Sequence, residues 1–151
     1  MMKSSFSVII AVSSALILSA CGGSDTSVAN VEVSAGSVPS ELVGTYTGTI
    51  SGRASAELLP ISESFEEDIT IIIRDDNTIT FAGDDPDEVF TTNIGSNGGF
   101  NGRLTINEDE CEGVINVSGT VDGSVAQGDI GGEGECDDID VDLTGTFRAT
   151  Q

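Results

Sequence analysis

The chain has no histidine and no tryptophan among its 151 residues, and only one tyrosine. Its only lysine is Lys3, so beyond the first few residues the cations are Arg53, Arg74, Arg103 and Arg148. Each absence removes a class of chemistry. Without imidazole there is no histidine base for a serine or cysteine nucleophile, and without a lysine in the body of the chain there is no imine-forming amine. Without tryptophan the usual platform for stacking sugars is missing. With 26 acids, all after residue 21, a partner that presents phosphates is excluded, because phosphate binding needs clustered cations. The residue types point away from an enzyme and away from nucleic acid. The acidity suits solubility, high salt or divalent cations.

Long hydrophobic runs are also scarce. The one present, Phe6–Leu18, is about a dozen residues long, too short to span a bilayer as a helix. Lys3 precedes it, and Ser19 and Ala20 lead from it to Cys21. This is the anatomy of a secretory signal. Leu18-Ser19-Ala20-Cys21 resembles the lipobox of bacterial lipoproteins. The resemblance covers residues 1 to about 24. It implies cleavage before Cys21, a diacylglyceryl group on its sulfur and usually an acyl chain such as palmitate on its amino group. Two or three chains anchor a protein to a membrane effectively for good, where a single chain holds marginally. Gly22 and Gly23 stand where an aspartate would direct inner-membrane retention, so the expected home is the cell envelope, at the outer membrane, facing the periplasm or the cell surface. The mature chain then carries four arginines against 26 acids, a net charge of −22.

Residues 22–41 are Gly, Ser, Val and Ala with scattered acids and no sustained period. They read as a flexible linker after the lipidated cysteine. Residues 42–151 then form one domain, large enough for a modest core.

That domain reads as eight strands. "LVGTYTGTISG" alternates Leu42, Gly44, Tyr46, Gly48 and Ile50 with Val43 and threonines. A turn at Asp75–Asn77 in "DITIIIRDDNTITFAG" sets Ile73 opposite Ile79 and Ile71 opposite Phe81. "FTTNIGSNGGFNGRLTI" folds at its glycine-rich tip, with Ile94 facing Phe100 and Phe90 facing Leu104. Asp122-Gly123 is the strongest short hairpin signal in the chain. In "DIDVDLTGTFRA", Ile139, Val141, Leu143, Gly145 and Phe147 share one face, with Asp138, Asp140 and Asp142 on the other. Only "ASAELL" (54–59) has a helical look, and it reads as part of a long first connection. The apolar faces must bury against each other. Eight strands in meander order favour a small up-and-down antiparallel barrel, closed by the first strand pairing with the last; a two-sheet sandwich is the alternative. Apolar residues inside and aspartates outside fit a soluble barrel better than a membrane-spanning one.

With Cys21 given to lipid, Cys111 and Cys136 remain as an even pair in an oxidising compartment, the expected disulfide. A two-residue turn at 122–123 places Cys111 opposite Gly134, with Cys136 two residues on.

The acidic motifs approach known metal-binding patterns but depart from them. "DIDVDLTG" opens like an EF-hand loop, but Leu143 occupies the glycine position and Ala149 the glutamate position. "GGEGEC" matches a calcium-binding nonapeptide only once, with cysteine in place of aspartate. Looser candidates for calcium, the one cofactor these acids would take, are Asp84, Asp85, Asp87 and Glu88 in "GDDPDE", "NEDECE" at 107–112, and Asp138, Asp140 and Asp142. Bland solvated acidic surface is the rival reading for all of them. "NVS" (116–118) matches a glycosylation acceptor and carries no weight mid-strand.

Inward glycines at 44, 48, 102, 128 and 145 either relieve crowding or leave a small apolar cavity. "GTY" at the first strand and Arg148 near the end resemble, in fold only, the lipocalin-type barrels, whose tryptophan is missing here. The functional expectation is a non-catalytic envelope lipoprotein that binds a small apolar ligand or a partner protein. The alternative is a structural or interaction lipoprotein with an acidic, divalent-cation-binding surface.

Overall fold

The computed structural model describes residue 28 and residues 30–56, 62–83, 89–108 and 111–151. Eight antiparallel strands follow one another: β1 (Gly44–Ala56), β2 (Ser62–Ile73), β3 (Thr78–Ala82), β4 (Val89–Asn93), β5 (Gly99–Glu108), β6 (Cys111–Asp122), β7 (Val125–Cys136) and β8 (Ile139–Thr150). The described helical structure is one 3-10 turn, Ser40–Leu42. The sheet order is β4-β3-β2-β1-β8-β7-β6-β5. The first strand therefore pairs with the last, from Thr47 opposite Thr150 to Ala56 opposite Val141, as the meander barrel requires. The sheet curls nearly closed, and its seam lies between β4 and β5, where a single bridge joins Ile94 and Phe100.

The strands form because β-branched and aromatic residues alternate with threonines and acids, a pattern that suits a half-buried pleated surface. The interior takes Tyr46, Ile71, Ile73, Ile79, Phe100 and Phe147, while Thr45, Thr47, Arg53, Asp140 and Thr146 face out. Apolar inside and charged outside is the inverse of a lipid-facing barrel.

Glycine and phenylalanine pack as complements. Phe147 stands across from Gly128, Phe100 from Gly119 and Phe65 from Gly52, and Phe90 lies on Gly102 across the seam. Each ring fills the space that a side chain on the opposite residue would occupy. Phe81 sits at the centre, with its ring 5.5–5.9 Å from those of Phe90, Phe100 and Phe147.

The β2–β3 hairpin matches the expected register, with Ile73 facing Ile79 and Ile71 facing Phe81. At the β2–β3 turn the Thr78 hydroxyl donates to the Asp76 carboxylate at 2.5 Å, and this bond holds the exposed carboxyl below the usual range. Three expectations need correction. Phe90 does not pair with Leu104, because β4 and β5 form no ladder beyond the Ile94–Phe100 bridge. The β6–β7 turn centres on Gly123-Ser124, not Asp122-Gly123, with Asp122 opposite Val125. Gly123 takes φ 55° at the first central position, where a glycine costs least. Finally, Ala54–Ala56 continue β1 as strand; the rest of "ASAELL" lies outside the described residues.

The expected linker differs too. From Val31 the chain is bound to one end of the barrel by three asparagine side chains. Asn101 accepts from Val31 N at 2.9 Å and donates back to Val31 O. Asn97 accepts from Ser34 N at 3.1 Å and donates to Glu32 O at 2.9 Å. Asn77 accepts from Val38 N at 2.7 Å and donates to Gly36 O at 3.1 Å. A carboxamide offers one acceptor and two donors, so each asparagine pairs this strap much as a neighbouring strand would. Val38 and Leu42 are buried beneath it. Behind them Tyr46, 0% exposed, points its hydroxyl at Leu42 O (3.0 Å) and Gly123 O (3.2 Å), tying strap, β1 and the β6–β7 turn together. The segment from Val31 to Glu41 thus packs as part of the barrel domain rather than as a free linker.

Candidate functional site: a cleft in the barrel wall

The strap closes one end of the barrel. Near the other end the strand wall is incomplete among the described residues, for a reason of strand length. β2 has 12 residues and β5 has 10, but β3 and β4 between them have five each and lie toward the strap end. β3 pairs with β2 only from Thr70 to Ile73. Among the described residues, Ser62–Ile69 of β2 and Arg103–Glu108 of β5 have no strand neighbour on the facing side. At about 4.8 Å per strand, the two missing half-strands correspond to an opening of roughly 14 Å between β2 and β5.

Through this opening the apolar interior reaches the surface. Ile50, Phe65, Leu104 and Val117 are only partly buried, and they line a cavity of about 50 Å³ floored by Phe81 and Phe147. Val89, at the start of β4, is 55% exposed. Glu67 and Asp68 also contribute to the otherwise apolar lining. The cavity has room for a few waters at most, well below the roughly 300 Å³ or more of a drug-sized pocket. It is therefore a small side groove, not a preformed chamber.

The sequence reading missed the strand that makes this site. It starts β2 at Asp68, because "SESFEE" carries one apolar residue in six. The signal was phase: stepping back by two from Ile73 and Ile71 through Ile69 gives Glu67, Phe65 and Glu63 on the same inward face. Phe65 and Glu67 are the site residues that this phase would have found.

The predicted residues fall as follows. Cys111 and Cys136 are bonded and directly opposed, with Cα atoms 4.1 Å apart. The shift of the turn by one residue moves Cys111 from Gly134 to Cys136 and keeps every side chain on its expected face. Cys21 lies outside the described residues, as do Asp84, Asp85, Asp87 and Glu88, and Asp109 and Glu110 of "NEDECE". Asp138 is not on a strand: it follows Asp137 in the β7–β8 turn, with φ 53° at Asp137 and φ 61° at Asp138. Asp140 faces Glu135, which also faces Glu112, and Asp142 faces Glu133. This is a row of like charges on the outer wall. Among the described residues no three His, Cys, Asp or Glu side chains are grouped to hold a metal ion, Asp138, Asp140 and Asp142 included.

Fold and cleft together define the class: a small meander β-barrel with an apolar interior, one strapped end and a split wall. No protein-family model matches the chain, and no curated protein is significantly similar to it.

Proposed function

We propose that this protein is a lipid-anchored lipoprotein of the cell envelope, held at Cys21 and facing the periplasm or the cell surface. Its barrel serves as a non-catalytic binding module. The cleft between β2 and β5 takes an apolar group, either a small ligand or side chains of a partner protein. The observation that carries the reading is Phe65, Leu104 and Val117 left partly exposed where two half-strands are missing from the wall. Exposed contiguous apolar surface on a small domain marks an interaction site more often than not. The Leu18-Ser19-Ala20-Cys21 motif supports the anchor.

Two measurements test the two halves. A neutral polarity-sensitive dye should bind saturably to the protein, and Leu104→Asp should abolish that binding while the far-ultraviolet β signature persists. Unsaturable binding, or binding indifferent to Leu104, rejects the cleft. Metabolic labelling with a palmitate analogue should mark the wild type and not Cys21→Ser; an unlabelled wild type rejects the anchor.

A further inference from the structure

We propose that Val31–Val43 is a load-released latch: pulled from the direction of Cys21, it leaves the barrel before any strand does and lengthens the tether. Its role in the cell rests on the lipid-anchor reading above; its release is a property of the fold.

Two neighbouring segments are bonded in different ways. The described strap residues form no strand ladder. They meet the barrel at successive stations: Val31 at Asn101, Glu32 and Ser34 at Asn97, Ser34 and Ala35 at Ser96, and Gly36 and Val38 at Asn77. Ser96 supplements the asparagines with two bonds, from its N–H to Ser34 O at 3.1 Å and from its hydroxyl to Ala35 O at 2.9 Å. A pull applied at Val31 falls on the Asn101 station alone until it yields, and then on the next. The side-chain bonds of Asn97 and Ser96 to the strap are exposed, so water replaces each as it opens.

β1 is held otherwise. It pairs with β2 from Gly44 to Ser55 and with β8 from Thr47 to Ala56. A pull along its axis is shared by bonds on both sides at once. Tyr46 fixes its head, because the buried hydroxyl keeps its bond to Gly123 O at 3.2 Å after Leu42 O has gone. Release therefore stops at the start of β1.

The seat outlasts the strap. Asn97 Oδ1 also accepts from Gly99 N at 3.1 Å, so its carboxamide stays oriented when Glu32 and Ser34 leave. Glycines let the strap backbone come close: a Cβ on Gly95 would lie 2.5 Å from Ser34 O, and one on Gly99 2.4 Å from Glu32 O. A seat preformed in this way takes the strap back when the load falls.

Length gives the device its use. The ten peptide units from Cys21 to Val31 span at most roughly 35 Å. The thirteen residues Val31–Val43 add up to about 45 Å of chain once released. A barrel engaged with a partner then follows it away from the membrane with its ladders and disulfide intact.

The test is a single-molecule force measurement on the full chain. One handle is attached at Cys21, the only cysteine outside the bridge, and the other at exposed Ser64 through an azide-bearing residue, so that β1 is loaded lengthwise. The expected trace has an early step of no more than about 45 Å, reversible on relaxation, followed by the barrel at higher force. Asn77→Ala, which removes two bonds, should speed the early step by at least about tenfold and leave the later one unchanged. Ser96→Ala, a milder change that removes one exposed bond, should act in the same direction and guards against a poorly folding Asn77 variant. Unfolding of strap and barrel in one step overturns the proposal, as does an early step longer than the strap or one that neither variant moves. The palmitate label tests the anchor separately. A labelled protein that unfolds in one step overturns the latch and leaves the lipoprotein reading standing. A two-step trace from a chain that takes no label supports the release and overturns the membrane as the source of the load.

Discussion

Phe147 of β8 lies directly across the ladder from Gly128 of β7, and a Cβ built on Gly128 would come within 2.7 Å of the ring tip. The same Cβ would approach Ser118 O of β6 to 2.1 Å. Neither neighbour has anywhere to go: the ring packs against Phe81 and Phe100, and the carbonyl belongs to a central strand. Gly128→Ala should therefore destabilise the barrel by about 2 kcal/mol or more, the scale of overpacking in a filled core. Gly123, with nothing within 4 Å but φ 55°, is the contrast. Gly123→Asn should be nearly neutral, since asparagine tolerates that conformation. Urea unfolding of both variants measures the difference.

The Cys111–Cys136 bridge clamps the open end of the β6–β7 hairpin across a separation of 25 residues. On the chain-entropy model a loop of that size contributes roughly 3 kcal/mol. Cys111→Ser with Cys136→Ser should lower Tm by on the order of 10 °C. Reducing agent should lower the wild type to the same temperature and leave the double variant unmoved.

How far the sequence carried this depends on where its signals were local. Period-two alternation in Ile69–Ile73 and Ile139–Phe147 made the strands, their faces and the β1–β8 closure legible. The disulfide was legible from cysteine parity, although its register was two residues off, because Asp-Gly and Gly-Ser both read as turns and only the packed structure chooses. The strap was not legible: Asn77, Asn97 and Asn101 reach segments 39–70 residues away, and nothing in "VEVSAGSV" announces them. The cleft was hidden for a related reason. It arises from a mismatch between the lengths of β2–β5, and the missing stretch of β2 is written mostly in glutamate and serine.

If the strap belongs to the domain, its removal is costly. A chain beginning at Asn30 should be as stable as one that retains residues 22–29. A chain beginning at Leu42 loses the asparagine bonds, each worth about 1 kcal/mol, and the burial of Val38, worth roughly 2 kcal/mol. It should unfold at clearly lower urea or fail to fold. Asn77→Ala, which removes two of those bonds together, should fall between.

Burial pushes the Tyr46 hydroxyl above the ordinary tyrosine value of 10.0. The sign follows from the raised folded value: the stabilisation is intact below about pH 10 and is lost as pH climbs through the folded pKa, because the unfolded chain releases the proton first. Stability should therefore drop in the alkaline range in the wild type and much less in Tyr46→Phe. That variant should also lose about 1 kcal/mol at neutral pH with its hydrogen bond. As the chain has a single tyrosine and no tryptophan, phenolate absorbance reports this residue alone. A native-state titration at the ordinary value would refute the shift.

The outer wall offers the last test, and it separates general charge from a specific cation. Glu135 is flanked by Glu112 on β6 and Asp140 on β8, each directly opposite it in the ladder. Like charges so placed repel, by a few tenths to about 1 kcal/mol per pair. Glu135→Lys converts two repulsions into two attractions and should stabilise the barrel by about 1 kcal/mol at low salt. The gain should shrink as sodium chloride screens the row, because the Debye length falls to about 8 Å near physiological ionic strength. If these acids act only as diffuse charge, calcium chloride and sodium chloride matched for ionic strength should raise Tm nearly alike. A larger rise with calcium, abolished by Glu135→Lys, would instead assign this wall the cation-binding role that its described geometry does not provide.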